Sequence, residues 1–368
     1  MENTINYVGW ATPNNNLGDE ALYRIDQDIF AKYNFELCRI TDPRRQKHSQ
    51  TTLIGGGTCL PLITMYMRPT KYTYVFGAGV EDPLFYGPFD PELIDRLKLF
   101  NFRFIGVRGN ISKALLRDWG IDSEVIGDPG LSLKPTKVSE KCNNKIAINI
   151  GAGDPKFSWK AQDRVLTELS KVCKVLKAEG YELVLIPFWK NNMEDVENLS
   201  KLVDVGIFEK WVDVEATMNL ISTCKIFIGE KLHSLVFSAA ANTPFIGLAY
   251  SPEHFDFADS VGFSEFTMPT TEITAEKIIA MFHDLINNYE TIQDKLAGRV
   301  NEYREKQRKF ASRISCDLES LPEDKWAIQN NCGNTLVLRA DLLLYTKMSK
   351  IWNVWDRLVF SRLMPYLI

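Results

Sequence analysis

Histidine is scarce in this sequence: 368 residues hold four, His48, His233, His254 and His283. Chemistry that needs a proton carrier near neutral pH therefore has few places to sit. The seven cysteines (Cys38, Cys59, Cys142, Cys173, Cys224, Cys316 and Cys332) are odd in number and widely spaced, with no CxxC and no Cys/His cluster. This argues against a disulfide framework or a structural zinc and fits a reducing compartment. Cys59, just after a glycine run, reads as a buried small hydrophobe rather than a reactive thiol. A basic excess is also missing. Forty-three Lys+Arg against 47 Asp+Glu leave a net charge of −4, so no nucleic-acid partner is expected. No apolar run reaches the ~18 residues of a membrane span. Met1-Glu2-Asn3-Thr4 shows no basic region followed by an apolar core, so no signal peptide is expected and the cytoplasm is.

What is present is ordinary globular material, 45% hydrophobic and 24% charged. At roughly 150 residues per domain the length predicts two domains. Short apolar runs alternate with helix-period segments in the first third. Ile5–Trp10, Thr52–Ile54, Tyr72–Phe76, Phe104–Val107 and Glu124–Ile126 read as strands, and Asp19–Tyr33, Glu92–Leu99 and Ser112–Trp119 as helices. The polar stretch Pro135–Lys141 breaks the pattern, which then restarts. Lys145–Ile150, Glu182–Pro187, Lys225–Ile228 and Pro244–Leu248 are the strands of a second half. Leu166, Leu169, Cys173 and Leu176 fall on one helical face, and Val214–Ser222, Ser234–Ala241 and the long region from Ala275 to about Ile314 also read as helical. The expected architecture is α/β: Rossmann-like domains over 1–135 and 145–315 facing a cleft, with ligands beyond the carboxyl ends of the strands. A tail over 326–368 follows.

Four motifs carry candidate chemistry. Asn14-Asn15-Asn16-Leu17-Gly18-Asp19 follows the first strand; it reads as a turn and helix cap, or as a device placing Asp19 in the cleft to take a hydroxyl proton. Gly55-Gly56-Gly57 lets backbone N–H groups approach a ligand, or simply makes a tight strand-to-helix turn. It continues into neither a GxGxxG nor a Walker pattern. Arg108, at a strand end before a helix, suits a carboxylate or phosphate, or a surface ion pair, and Gly127-Asp128-Pro129 reads first as a turn. Gly229-Glu230-Lys231-Leu232-His233-Ser234 opens a helix with a cation and an imidazole: an anion site with a general acid, or a structural histidine.

In this order the motifs resemble the polysaccharide pyruvyl transferase family, from about Tyr7 to Gly262. Asn16-Leu17-Gly18-Asp19, Ile54-Gly55-Gly56-Gly57, Val107-Arg108, Gly127-Asp128-Pro129, Gly229–His233 and Pro244–Tyr250 carry the likeness. The resemblance implies a GT-B-like architecture and transfer of the enolpyruvyl group of phosphoenolpyruvate to two hydroxyls of one sugar. The product is a pyruvate ketal on a cell-surface polysaccharide or its lipid-linked precursor. It implies His233 as general acid and Asp19 as base. Arg108, Lys231, Asn16, Gly55, Gly56, Gly57, Ser234 and Glu253 would line the substrates, with neither metal nor cofactor. Two positions depart from the family pattern: Lys231 replaces an arginine, losing its bidentate fork, and Glu253 replaces a lysine, reversing a charge. Two rival readings are a glycosyltransferase using a nucleotide-sugar, with Glu253 on a ribose, and a non-catalytic scaffold of polysaccharide assembly.

The tail interleaves Arg339, Lys347, Lys350, Arg357 and Arg362 with Trp352, Trp355 and many Leu residues, against two acids, Asp341 and Asp356. Such a segment suits an interfacial helix on anionic lipid, or one packed back on the protein. A peripheral position on the inner face of the plasma membrane is the expectation.

Overall fold

The computed structural model describes residues 4–10, 15–39, 49–67, 69–83, 91–137, 142–151 and 161–322. The tail expected to bind lipid, 326–368, lies outside them. The first sheet comprises β1 (Thr4–Gly9), β2 (Asn34–Arg39), β3 (Thr51–Ile54), β4 (Gly57–Leu60), β5 (Tyr72–Val80), β6 (Phe102–Val107) and β7 (Glu124–Val125). Its order is β2-β1-β3-β5-β6-β7, with β4 also on β5, and every pairing is parallel. The second sheet holds β8 (Lys145–Asn149), β9 (Glu182–Leu185), β10 (Ile226–Gly229), β11 (Phe245–Ala249) and β12 (Thr267–Pro269), ordered β12-β11-β10-β8-β9 and again parallel. The unbroken apolar runs of β5, β10 and β11 are buried along their whole length, as strands covered on both faces must be.

This is the two-sheet α/β arrangement that the alternation and the resemblance led us to expect, and it decides where chemistry can occur. In the first sheet the order in which strands are added reverses between β1 and β3; in the second, between β8 and β10. Crevices open at the carboxyl ends of such strand pairs. The segments leaving them carry Asn16 and Asp19, the glycine run, Gly151, and Glu230 to His233.

The closing helical region is two helices, Ala275–Asn287 and Tyr289–Ser320. The second serves both halves. Val300 and Tyr303 pack into the larger core around the second sheet, whereas Phe310, Ala311, Ile314 and Leu318 pack with Ile5, Tyr7, Tyr74 and Phe76 of the first. Polar contacts pin it there: Arg313 to Glu124 at 2.8 Å and Arg103 to Asp317 at 2.6 Å. No helix among the described residues is long and apolar enough to cross a membrane.

Candidate active site

The helix Leu17–Ile29 begins where β1 delivers the chain. Asn16 is its N-cap, accepting from the N–H groups of Gly18 at 3.2 Å and Asp19 at 3.5 Å. Asp19 therefore stands in the first helical turn, facing the second half, and the cap reading of the motif holds. The glycine run departs from expectation. It leads into another strand, β4, and not into a helix. The Gly55 N–H donates to Val8 O at 3.0 Å, so it is not free to cradle a ligand. A Cβ at Gly55 would lie 1.9 Å from the Tyr7 hydroxyl oxygen, and one at Gly56 2.9 Å from Leu22. Gly57 has φ +101°, a region that glycine adopts without strain. These glycines allow close packing inside the first half.

Arg108 reaches the cleft floor and is closed off there. It is 1% exposed, its Nε lies 2.9 Å from Asp128 Oδ2, and its Nη1 is 3.4 Å from Thr58 Oγ1. Asp128 also caps its own turn, accepting from Gly130 N at 2.8 Å. Arg108 is thus a paired internal charge, not the open cation expected of a donor-binding residue. Cys59 is fully buried and burial pushes its thiol up, which matches the unreactive reading.

The second half supplies the helix Leu232–Ala240, whose uncharged sequence is buried throughout. Asn149 fixes the approach to it: its Oδ1 accepts from Lys231 N at 2.8 Å while its Nδ2 donates to Ile186 O at 3.0 Å. Glu230 is wholly buried. One oxygen accepts from Gly151 N at 2.7 Å and the other has no partner among the described residues. His254 braces the same turn, its Nε2 2.8 Å from Glu230 O. Ser234 is spent locally, its hydroxyl donating to Lys231 O at 2.6 Å with no exposed surface, so it does not face a substrate as expected. Lys231 is the N-cap of this helix and brings no capping side-chain bond. Its ammonium lies 4.4 Å from the Trp189 ring centroid and 5.9 Å from that of Tyr250, and among the described residues no carboxylate oxygen comes within 4 Å.

The halves meet around these groups. His233 Nδ1 is 3.9 Å from Asp19 Oδ1, and His233 Nε2 is buried with no partner among the described residues. Gly18 makes that approach possible, since a Cβ there would fall 2.1 Å from the imidazole. Leu17 N donates to Phe188 O at 3.0 Å and Lys190 N to Asn15 O at 2.8 Å, stitching one rim. On the other rim the helix Pro252–Val261 reaches into the first half. Glu253 accepts from the Thr58 hydroxyl and lies 3.7 Å from Arg108 Nη1. Asp256 caps the helix Asn110–Asp118 by accepting from Ile111 N at 2.7 Å and Ser112 Oγ at 2.6 Å.

Burial dominates the titration of this cluster, since it disfavours every charged form. It raises Asp19, against the pull of His233 and Lys231, and lowers His233, against Asp19 and Asp128. It lowers Lys231 as well, with Asp19 and Glu253 opposing. Glu230 is pushed up to about 7 by burial, and Glu81 to about 8 by burial and the neighbouring Glu253. Burial would raise Glu253 too, but Arg108, His254 and Thr58 together hold it below the usual range.

The structure therefore gathers Asp19, Lys231, His233, Arg108 and Glu253 in one cleft, and sets Asn16, Ser234, Gly55 and Gly56 to structural tasks. Thr58, Trp189 and Asp256 do not stand out in the sequence as site residues, and Asp128 does so only as part of the Gly127-Asp128-Pro129 turn. Asp128 and Asp256 look like turn and helix residues, and their partners lie at 20 and about 145 residues' distance. A family model described as polysaccharide pyruvyl transferase matches residues 16–252, the segment that contains most of this cluster. The chain belongs to that family. It is a family of polysaccharide-modifying transferases. The chain is similar to the amylovoran biosynthesis protein AmsJ of Erwinia amylovora, 25% identical over 281 residues. The match covers 67% of this chain and 65% of that protein, so the chain spans just under two thirds of this relative. Among solved structures it is similar to S. aureus MnaA with UDP, with TM-score 0.56, 14% identity, and coverage of 87% of this chain and 98% of that one. A Listeria monocytogenes protein described as a UDP-N-acetylglucosamine 2-epimerase gives TM-score 0.54 at 13% identity, with coverage of 89% and 100%. At such identities these two likenesses speak for the fold alone.

Proposed function

We propose that this protein transfers the enolpyruvyl group of phosphoenolpyruvate to two hydroxyls of one sugar, forming a pyruvate ketal. The acceptor belongs to a cell-surface polysaccharide or its lipid-linked precursor. Family membership and the relative's part in amylovoran biosynthesis support a glycan product. The observation that carries the donor is Lys231: a buried ammonium over an aromatic ring, at a helix N-terminus, with no carboxylate within 4 Å among the described residues. A buried cation with no carboxylate in contact is costly, and an anionic ligand reduces that cost. The first-turn N–H groups and the helix dipole add to the attraction.

The chemistry follows from the neighbours. The phosphate meets Lys231 and the helix terminus. His233, through its unpartnered Nε2, donates a proton to the methylene carbon, which leaves C2 electrophilic. A sugar hydroxyl attacks C2 as Asp19 takes its proton. Departure of phosphate and attack by the second hydroxyl close the ketal. One hydroxyl proton replaces the proton His233 gave up, and the other leaves with phosphate. Burial keeps free His233 neutral, and the incoming negative charge draws a proton onto it. Acid and base come from opposite halves, so turnover needs the closed cleft. No step requires a metal. We place the 326–368 tail on anionic lipid, where a lipid-linked acceptor would be met. The test is phosphate release, followed by phosphorus NMR, from phosphoenolpyruvate with a panel of glycan acceptors and a chelator present. Release that needs both substrates supports the reading; release with neither acceptor dependence nor a new ketal methyl signal contradicts it.

A further inference from the structure

Arg108 is one cation between two carboxylates, and the two are held very differently. Asp128 comes from the same half, is fully buried, and is tied by Gly130 N at 2.8 Å, while Gln307 binds its backbone carbonyl at 2.7 Å. Glu253 reaches across from the other half. Its side chain is 17% exposed, and its nearest approach to the guanidinium is 3.7 Å, too long for a hydrogen bond. Among the described residues its carboxylate accepts one hydrogen bond, from the Thr58 hydroxyl.

The helix that bears Glu253 does not depend on this contact. Asp256 holds it to the first half through Ile111 N and Ser112 Oγ, and Asn110 donates to Asp259 at 3.0 Å. Glu253 can leave Arg108 by rotating its own side chain while the helix stays in place. We propose that Glu253 is a resident counter-ion standing where a substrate carboxylate binds, and that this carboxylate displaces it from Arg108 and Thr58. This rests on the reading of the cleft as the site of a carboxylate-bearing donor. In that reading Lys231 receives the phosphate and Arg108, once uncovered, the carboxylate. An incoming carboxylate gains an in-plane guanidinium contact that Glu253 lacks, plus the Thr58 hydroxyl. The exchange also keeps a second negative charge beside Arg108 at every stage, so the buried guanidinium is never left under-compensated. Glu253 thereby sets how strongly the site holds carboxylic acids.

The experiment is calorimetric titration of the full chain and of Glu253→Gln with phosphoenolpyruvate, pyruvate and inorganic phosphate. Gln keeps the shape and the bond from Thr58 but not the charge. The expected result is about tenfold tighter binding of phosphoenolpyruvate and pyruvate by the variant, with phosphate unchanged. Glu253→Asp, which withdraws the carboxylate by one methylene, should show a smaller gain of the same kind and guards against a misfolded first variant. Equal gains for all three anions would mean a general charge effect and would overturn the displacement. Unchanged or weaker binding of the two carboxylates by both variants would overturn it as well, making Glu253 a strut between the halves. If neither the parent protein nor a variant binds phosphoenolpyruvate, the reading of the cleft fails, and this inference with it.

Discussion

At the scale of single residues, His233 makes the sharpest demand. Its Nε2 has no hydrogen-bond partner among the described residues, so its side chain is worth more to chemistry than to packing. His233→Gln should fold with an unchanged melting temperature and lose on the order of a hundredfold or more in kcat, the reach of general acid catalysis. Because free His233 is held neutral by burial, phosphoenolpyruvate binding should take up a proton near pH 7, measurable as a buffer-dependent binding enthalpy. His233→Gln should abolish that uptake. Glu230 makes a different prediction, on stability. Its carboxyl is pushed up to about 7 by burial, above the ordinary 4.5, so between those values the folded chain binds more protons than the unfolded. Stability must then fall as pH rises from 4.5 to 7, by up to about 3 kcal/mol from this group. Glu230→Gln should be the more stable protein in urea at pH 8 and no better at pH 4. A variant weaker at both would show that the ionised carboxylate is needed for its bond from Gly151.

Between elements, caps and strands decide what sequence can reveal. The helix Asn110–Asp118 has glycine at its N-cap and no side-chain cap of its own; Asp256 supplies one from across the cleft. Asp256→Ala should cost about 1–2 kcal/mol, the range for a lost cap, and speed amide exchange at Ile111 and Ser112. Protection unchanged at those two amides would contradict the cap. No local rule could have found this pair, because it joins motifs about 145 residues apart. What periodicity could find, it found: β1, β3 and β5 to β11 all lie where apolar runs end in turn residues. It missed β4, because Gly55-Gly56 reads as the close of a strand although the chain simply goes on. It missed β2 as well, an edge strand whose Phe35 and Leu37 are only half buried. The helix Pro252–Val261 had legible signals, proline in its first turn and Gly262 at φ +78° after its end, but its mixed charges hid the apolar face. Asp19 and His233 were readable as strand-end residues. That Arg108 is paired, and that Gly55 and Gly56 face inward, depended on packing no motif encodes.

Across the whole molecule, the helix Tyr289–Ser320 ties the halves together by packing on both. Phe310 meets Phe76 at 6.3 Å and Phe104 at 6.2 Å between ring centroids, under the first sheet. Phe310→Ala should destabilise the fold by about 3–5 kcal/mol in denaturant unfolding, as emptying such a site does. A loss below 1 kcal/mol would mean that the far end of this helix is not part of the first half's core. With the halves held so, the cleft between the two strand switch points is the proposed donor site, and the identity of the donor is what most needs testing. The direct measurement is competition binding on the full chain, phosphoenolpyruvate against a UDP-sugar, followed by ligand-observed NMR. Saturable phosphoenolpyruvate binding is expected, abolished by Lys231→Ala and not displaced by the UDP-sugar. Tight UDP-sugar binding, with none of phosphoenolpyruvate, would contradict it and make the protein a glycosyltransferase.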